Sequence, residues 1–227
     1  MMQGQVKERP IIFSSEMVKA ILDGKKTMTR RVVKTQPDFN ARYDGVDDDT
    51  NHFWEVLDAQ GEPTEKYIPI LKCPYGKVGD RLWVRETHHV VGGTADYEIE
   101  EIKQGLQDIK NFVSYKADGY GNPCDGGWTS PMFMPRWTSR ILLEITDIRV
   151  ERLNGISEAD AVKEGLRILA ASGRYVVNPG DQHFGGASHD AVEVFSWLWD
   201  SLNTKKGYPW SSNPWVWVVE FKVIEVA

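Results

Sequence analysis

Residues 27–33 read TMTRRVV, a run of strand-forming residue types that carries two adjacent arginines. Successive side chains of a strand point to opposite faces. Thr27, Thr29, Arg31 and Val33 therefore share one face, and Met28, Arg30, Val32 and Lys34 share the other. Each face holds a guanidinium. Whichever face turns inward, the fold has to give that arginine an acidic partner or a ligand, because an unpaired buried charge is strongly destabilising.

The run belongs to GKKTMTRR (24–31), which gathers Lys25, Lys26, Arg30 and Arg31 in a chain whose 27 Lys+Arg face 33 Asp+Glu, a formal charge of −6. That balance argues against coating nucleic acid through general electrostatics, but it leaves room for a basic pocket sized for one nucleotide. The plain alternative is a solvated edge. There Lys25 and Lys26 complement a helix C-terminus and the arginines guard a sheet edge.

With 227 residues, the chain has the length of one large domain, or of one domain carrying insertions. Its opening, MMQGQVKERP, lacks the apolar run of a signal peptide. No stretch approaches the ~18 apolar residues of a membrane span. Cys73 and Cys124 lie far apart, as suits a reducing cytoplasm. His52, His88, His89, His183 and His189 do not cluster with them, so neither a zinc site nor any cofactor is expected.

Periodicity predicts helices over 14–24, 156–166 and 189–203. The first has Ser14 or Ser15 as its cap and Gly24 as its end. The second has Ser157 as cap with Asp160 completing an approximate capping box. The third carries Val192, Phe195, Leu198, Trp199 and Leu202 on one side. Strands are expected at 27–33, at 81–87 after a Gly79-Asp80 turn, at 112–117, over a long bent segment 138–153, and at 215–226. In the long strand Ile141, Leu143 and Ile145, then after a shift Ile148 and Val150, point inward. Segments 36–66, 92–136 and 167–187 are rich in turn formers and read as irregular inserts. The order fits an α+β, mainly β domain: a small barrel with helices at its rim.

Four blocks then carry a resemblance: RPIIFSSEMVKAILDGKKTMTRR, CPYGKVGDRLWVRET, SEADAVKEG and NPWVWVVEFKVI. Together they resemble the ASCH domain of the PUA-like superfamily, of the kind found in phages and prophages. Gly24, Lys26, Thr29 and Arg31 stand in the register of its short signature. The likeness covers most of the chain outside the three inserts, and implies a single PUA-like β-barrel domain over 1–227.

ASCH domains are associated with RNA or nucleotide binding, and small bacterial members are amidohydrolases that remove the acyl group from N4-acetylcytidine. The resemblance implies a catalytic set of Lys26, Thr29 and Glu164, although Glu164 taken alone reads as a surface residue. Lys25, Arg31, Trp83, Arg85 and Trp137 are the residues placed at the substrate. Arg31 and Lys25 would depress the Lys26 pKa, or Arg31 would pair with Glu164 instead. Two divisions of labour stay open. Either Lys26 activates Thr29 and Glu164 protonates the leaving amine, or Glu164 activates water and Lys26 faces the oxyanion.

Two other functions fit the same blocks. One is a non-catalytic module that binds RNA or a modified nucleotide, with Trp83 or Trp137 stacking on the base. The other is a phage-encoded protein acting on a host factor. A monomer is the default state. Loops within 92–136 and 172–187 carry glycines together with Tyr115, Tyr120, Trp128, Trp137, His183 and Phe184, and one of them is expected to fold over the pocket.

Overall fold

Trp215–Val226 is apolar on both faces at its start, and its first five residues are all buried. Such a strand belongs inside a sheet that is covered on both sides, and that is where it lies. The computed structural model describes residues 5–37, 40–46, 52–70, 72–91, 96–106, 108–123 and 126–227; Gly92, Gly93 and Cys124 fall outside them.

In chain order the described elements are β1 Glu8–Ile12, α1 Ser15–Leu22, β2 Met28–Val32, β3 Ala41–Val46, β4 His52–Leu57, β5 Pro63–Ile70, β6 Arg81–Arg85, β7 His88–Val90 and α2 Asp96–Lys103. There follow β8 Val113–Tyr115, β9 Ile141–Arg152, α3 Glu158–Lys163, β10 Arg167–Ile168, β11 Tyr175–Val176, β12 Ala187–Ser188, α4 Ala191–Asn203 and β13 Trp215–Val226. Strand outweighs helix, 36% against 28%, so the chain is α+β and mainly β.

The central sheet runs β1-β6-β9-β13-β2. β1 is parallel to β6, and the remaining neighbours are antiparallel. β1 and β2 are its edges, and hydrogen bonds among the described residues do not close it into the expected barrel. The long strand β9 bends as its sequence suggested. Pairing with β13 shifts between Glu220 and Phe221, leaving Ile141, Leu143, Ile145, Ile148 and Val150 all buried in one cluster.

Alternation in β13 divides two cores. Trp215, Trp217, Val219 and Phe221 face a cluster that includes Val18 and Ile21 of α1. Val216 and Val218 face the other way, onto Ala161, Val194, Phe195 and Trp199 from α3 and α4. Locally the molecule has three layers: α3 and α4, the sheet, and α1 with the first insert.

The inserts are more regular than their composition suggests. Residues 36–66 fall largely within an antiparallel sheet, β3-β4-β5. Its buried Trp54 has its ring 4.6 Å from that of Trp215. In the second insert β8 pairs with β7, which precedes the insert, and α2 covers Ile109, Val113, Tyr115 and Met134 with Ile102. In the third, β10, β11 and β12 make a small sheet whose Val176 is fully buried. No described helix is long and apolar enough to cross a membrane.

Candidate functional site

The site begins where α1 ends. Ser14 Oγ accepts from Met17 N at 3.3 Å and caps the helix. Gly24, at φ +68°, takes the left-handed conformation that ends it. Lys25 N and Lys26 N then both donate to Ala20 O, at 2.8 and 2.9 Å. The corner is held from two sides. Thr27 N donates to Lys163 O at 3.0 Å, and Phe221 N donates to Thr27 O at 2.9 Å. The ends of α1 and α3 thus lie side by side, with Lys26 and Glu164 as antiparallel bridge partners.

Gly165 makes this approach possible. Its φ is +106°, and a Cβ there would stand 3.0 Å from Ala20 Cβ and 3.2 Å from Lys26 Cβ. At the other end of α3, Ser157 Oγ accepts from Asp160 N at 3.2 Å. The Asp160 carboxylate does not return that bond as the capping box requires. It accepts from Arg30 at 3.1 Å and from Arg149 at 3.0 Å.

Lys26 is wholly buried, and its ammonium donates at 2.8 Å to Met28 O, Glu164 O and Glu164 Oε2. All three of its donors are engaged. Burial pushes its pKa below 10.5; Glu164 opposes that shift, while Arg31 and Arg30 add to it. Glu164, 4% exposed and no surface residue, also reaches Arg30 Nη1 at 3.4 Å through its other oxygen. Arg30 continues to Glu151 and Asp160, both at 3.1 Å, with its side chain fully buried.

The inward arginine that meets Glu164 is therefore Arg30, not Arg31. Strand parity decides this: Lys26, Met28 and Arg30 share the face turned to α3. Arg31 lies on the other face, 5.3 Å from the centre of the Phe13 ring, and donates to Ile12 O at 2.7 Å. The Lys26 ammonium approaches the same ring at 5.6 Å.

A cleft of about 520 Å³ runs along the edge of β2, so residues from both faces of that strand reach it. Thr29, Arg30, Arg31 and Glu164 line it, facing a wall of Phe195, Leu198, Trp199 and Leu202 from α4. Lys26 lies beneath it, outside the lining. No described residue hydrogen-bonds the Thr29 hydroxyl. The Nε–H groups of Arg30 and Arg31 are buried without a partner.

The other four residues placed at the substrate from the sequence do not line this cleft. Lys25 is exposed, 3.8 Å from Asp23. Trp83 lies under the guanidinium groups of Arg85 and Arg136, at 5.4 and 5.9 Å. Arg85 also donates to Met132 O. Trp137 packs on the cluster around Tyr115 and Met134.

Sequence reasoning missed Phe13, Arg30, Asp160, Tyr75 and Tyr208. Parity within TMTRRVV was the available signal for Arg30, and its spacing of four from Lys26 gave the face. A second cleft, about 360 Å³, shares Ser14, Met17, Glu164, Leu198 and Leu202 with the first. Val177, Asn178, Asp181 and Gly186 of the third insert line it, so that loop does come to Glu164.

Among the described residues no group of three or more His, Cys, Asp or Glu side chains is arranged to hold a metal ion. Comparison with known protein families, with curated proteins and with solved structures finds no match.

Proposed function

We propose that the chain is a cytoplasmic ASCH-type protein of the PUA-like superfamily that hydrolyses the amide joining an acyl group to a modified nucleoside, of which N4-acetylcytidine is the type. The observation that carries the reading is the buried Lys26–Glu164 pair beneath a cleft that also displays Thr29 and Arg31. Hydrolysis needs an activated nucleophile, charge stabilisation at the carbonyl oxygen and a proton for the leaving nitrogen.

Of the two divisions of labour, the geometry favours the one with Glu164 as base. Lys26 spends every donor on fixed acceptors and does not face the cleft, so its part is to hold and orient Glu164. A water placed by the Thr29 hydroxyl attacks the acyl carbon, and Glu164 takes its proton. The guanidinium groups of Arg31 and Arg30, both in the cleft lining, stabilise the oxygen as it gains charge. The C–N bond breaks as Glu164 returns the proton to nitrogen, releasing the carboxylic acid and the amino nucleoside.

One observation favours a binding module instead. No described residue hydrogen-bonds the Thr29 hydroxyl, and Lys26 is closed off. Incubation of the protein with N4-acetylcytidine, followed by chromatography for cytidine, separates the two. Release that disappears in Glu164→Gln supports the hydrolase. Tight binding with no release supports the module.

A further inference from the structure

The cleft along β2 is unbalanced in charge. Arg30, Arg31, Lys34 and Lys206 line it, against the single carboxylate of Glu164. That carboxylate is already shared by Lys26 and Arg30. Among the described residues, no carboxylate pairs with Arg31, Lys34 or Lys206. Three cations left unpaired at one cleft are notable in a chain of net charge −6.

Hydrogen bonding points the same way. Arg31 gives one Nη2 bond to Ile12 O, and among the described residues none accepts from its Nη1. A guanidinium that lines the cleft with a donor to spare suits an acceptor that arrives with the ligand. A neutral acylated nucleoside brings carbonyl and hydroxyl oxygens but no charge. A phosphate brings up to two negative charges and three acceptor oxygens, which match the one guanidinium and two ammonium groups left unpaired in the lining. The half-buried rings of Tyr75 and Tyr208, also in the lining, suit the base and sugar of the same molecule.

We infer that the cleft takes its substrate as a nucleotide, with the phosphate held by Arg31, Lys34 and Lys206. This rests on the nucleoside reading of the site and narrows it to a phosphorylated form, monoester or diester.

Calorimetric titration tests it with four probes: N4-acetylcytidine, its 5′-monophosphate, a dinucleotide carrying the same base, and uridine 5′-monophosphate as an unacylated control. At low salt at least one phosphorylated form of the acetylated nucleoside should bind about tenfold or more tighter than the nucleoside, the equivalent of one charge-assisted hydrogen bond. The advantage should shrink as salt is raised. In Lys34→Glu/Lys206→Glu, both exposed positions, the ratio of the two affinities should fall toward one. Comparing monoester with dinucleotide tells a free nucleotide from a position within a polynucleotide.

Equal affinity with and without phosphate overturns the inference, as does a preference that survives the charge reversal. Hydrolysis of the free nucleoside without phosphate preference overturns it while the hydrolase reading stands. Nucleotides that bind through these three cations but are never hydrolysed, the uridine control included, support it and end the hydrolase reading. Absence of binding by every probe overturns both.

Discussion

Lys26 Nζ lies 2.8 Å from Glu164 Oε2 across 138 residues of chain. Neither side chain finds the other by reach alone. Backbone bonds clamp the end of α1 against the end of α3, and the pair follows from that clamp.

Breaking the pair from one side should therefore be costly. Lys26→Met leaves the Glu164 carboxylate buried with Arg30 alone, and Glu164→Leu leaves the ammonium with only carbonyl acceptors. Each should lower unfolding stability by about 3–5 kcal/mol in urea titrations, because the orphaned charge stays buried. The double variant Lys26→Met/Glu164→Leu should recover much of the loss, since Arg30 keeps Glu151 and Asp160. Single losses below about 1 kcal/mol would mean that the pair is solvated.

Gly165→Ala and Gly24→Ala make a matched test of the clamp. Both glycines have positive φ, but nothing lies within 4 Å of a Cβ at Gly24, whereas at Gly165 it would press on Ala20 and Lys26. Gly24→Ala should cost about 1–2 kcal/mol for the left-handed backbone alone. Gly165→Ala should cost that plus about 1–3 kcal/mol of overpacking. Equal falls in thermal midpoint would show that the approach of the two helix ends is not tight in solution.

The helices at α1, α3 and α4 and the strands β2, β6, β9 and β13 were legible because period and capping residues agreed. The other edge of the sheet was not: β1, the ERPII segment, lacks a polar-apolar alternation, ending in two adjacent isoleucines after Pro10, and pairs with β6 only through tertiary contact. The site was half legible. Lys26 and Glu164 emerged by resemblance, but Asp160 looked like a cap until Arg30 and Arg149 claimed its carboxylate. Trp83 and Trp137 looked like stacking surfaces because an aromatic near a basic residue has the same sequence whether it meets a base or its own protein's arginines. Leu202 read as core on the α4 stripe and is 41% exposed, since it forms cleft wall rather than interior.

The third insert illustrates the same difficulty and yields a prediction. Val176 is fully buried and its neighbours Tyr175 and Val177 pack on the α3–α4 core, so deletion of 174–186 should lower the thermal midpoint clearly, unlike removal of an idle loop. Asp181→Ala is the gentler probe. Asp181 closes a capping box with Asn178 in the wall beside Glu164. Its loss should cost about 1 kcal/mol and raise the ligand dissociation rate. An unchanged dissociation rate would separate this loop from the site.

Stability should also depend on pH through His88, which is 2% exposed and has Nδ1 3.2 Å from Glu86 O. Burial pushes its pKa below 6.5; the Glu86 carbonyl opposes this, and His89 and Arg85 reinforce it. The native state therefore takes up this proton less readily than the unfolded chain. Its contribution is complete above pH 6.5 and is lost as pH falls through 6.5 toward the lower folded value. Glu86 acts in the opposite sense, because burial raises its pKa above 4.5 and the native state then gains on acidification. Urea midpoints followed from about pH 7 to about pH 5 should fall for the wild type and fall less for His88→Gln. Parallel profiles would assign the acid loss to other groups.

Thr29 separates the chemical roles most cleanly. No described residue hydrogen-bonds its hydroxyl, so the near-isosteric Thr29→Val should cost less than about 1 kcal/mol of stability. If the hydroxyl places the attacking water, Thr29→Val should slow release of cytidine by about 10–100-fold, and Thr29→Ser should restore most of it. Glu164→Gln, which removes the proton acceptor, should be the more severe change, by about 10²–10⁴-fold. The order of the two variants carries the argument. A Thr29→Val enzyme as dead as Glu164→Gln, together with a burst of product equal to the enzyme present in wild type, would make Thr29 the nucleophile of a covalent intermediate. A Thr29→Val enzyme as fast as wild type would remove Thr29 from the reaction and leave Glu164 and the two arginines to carry it.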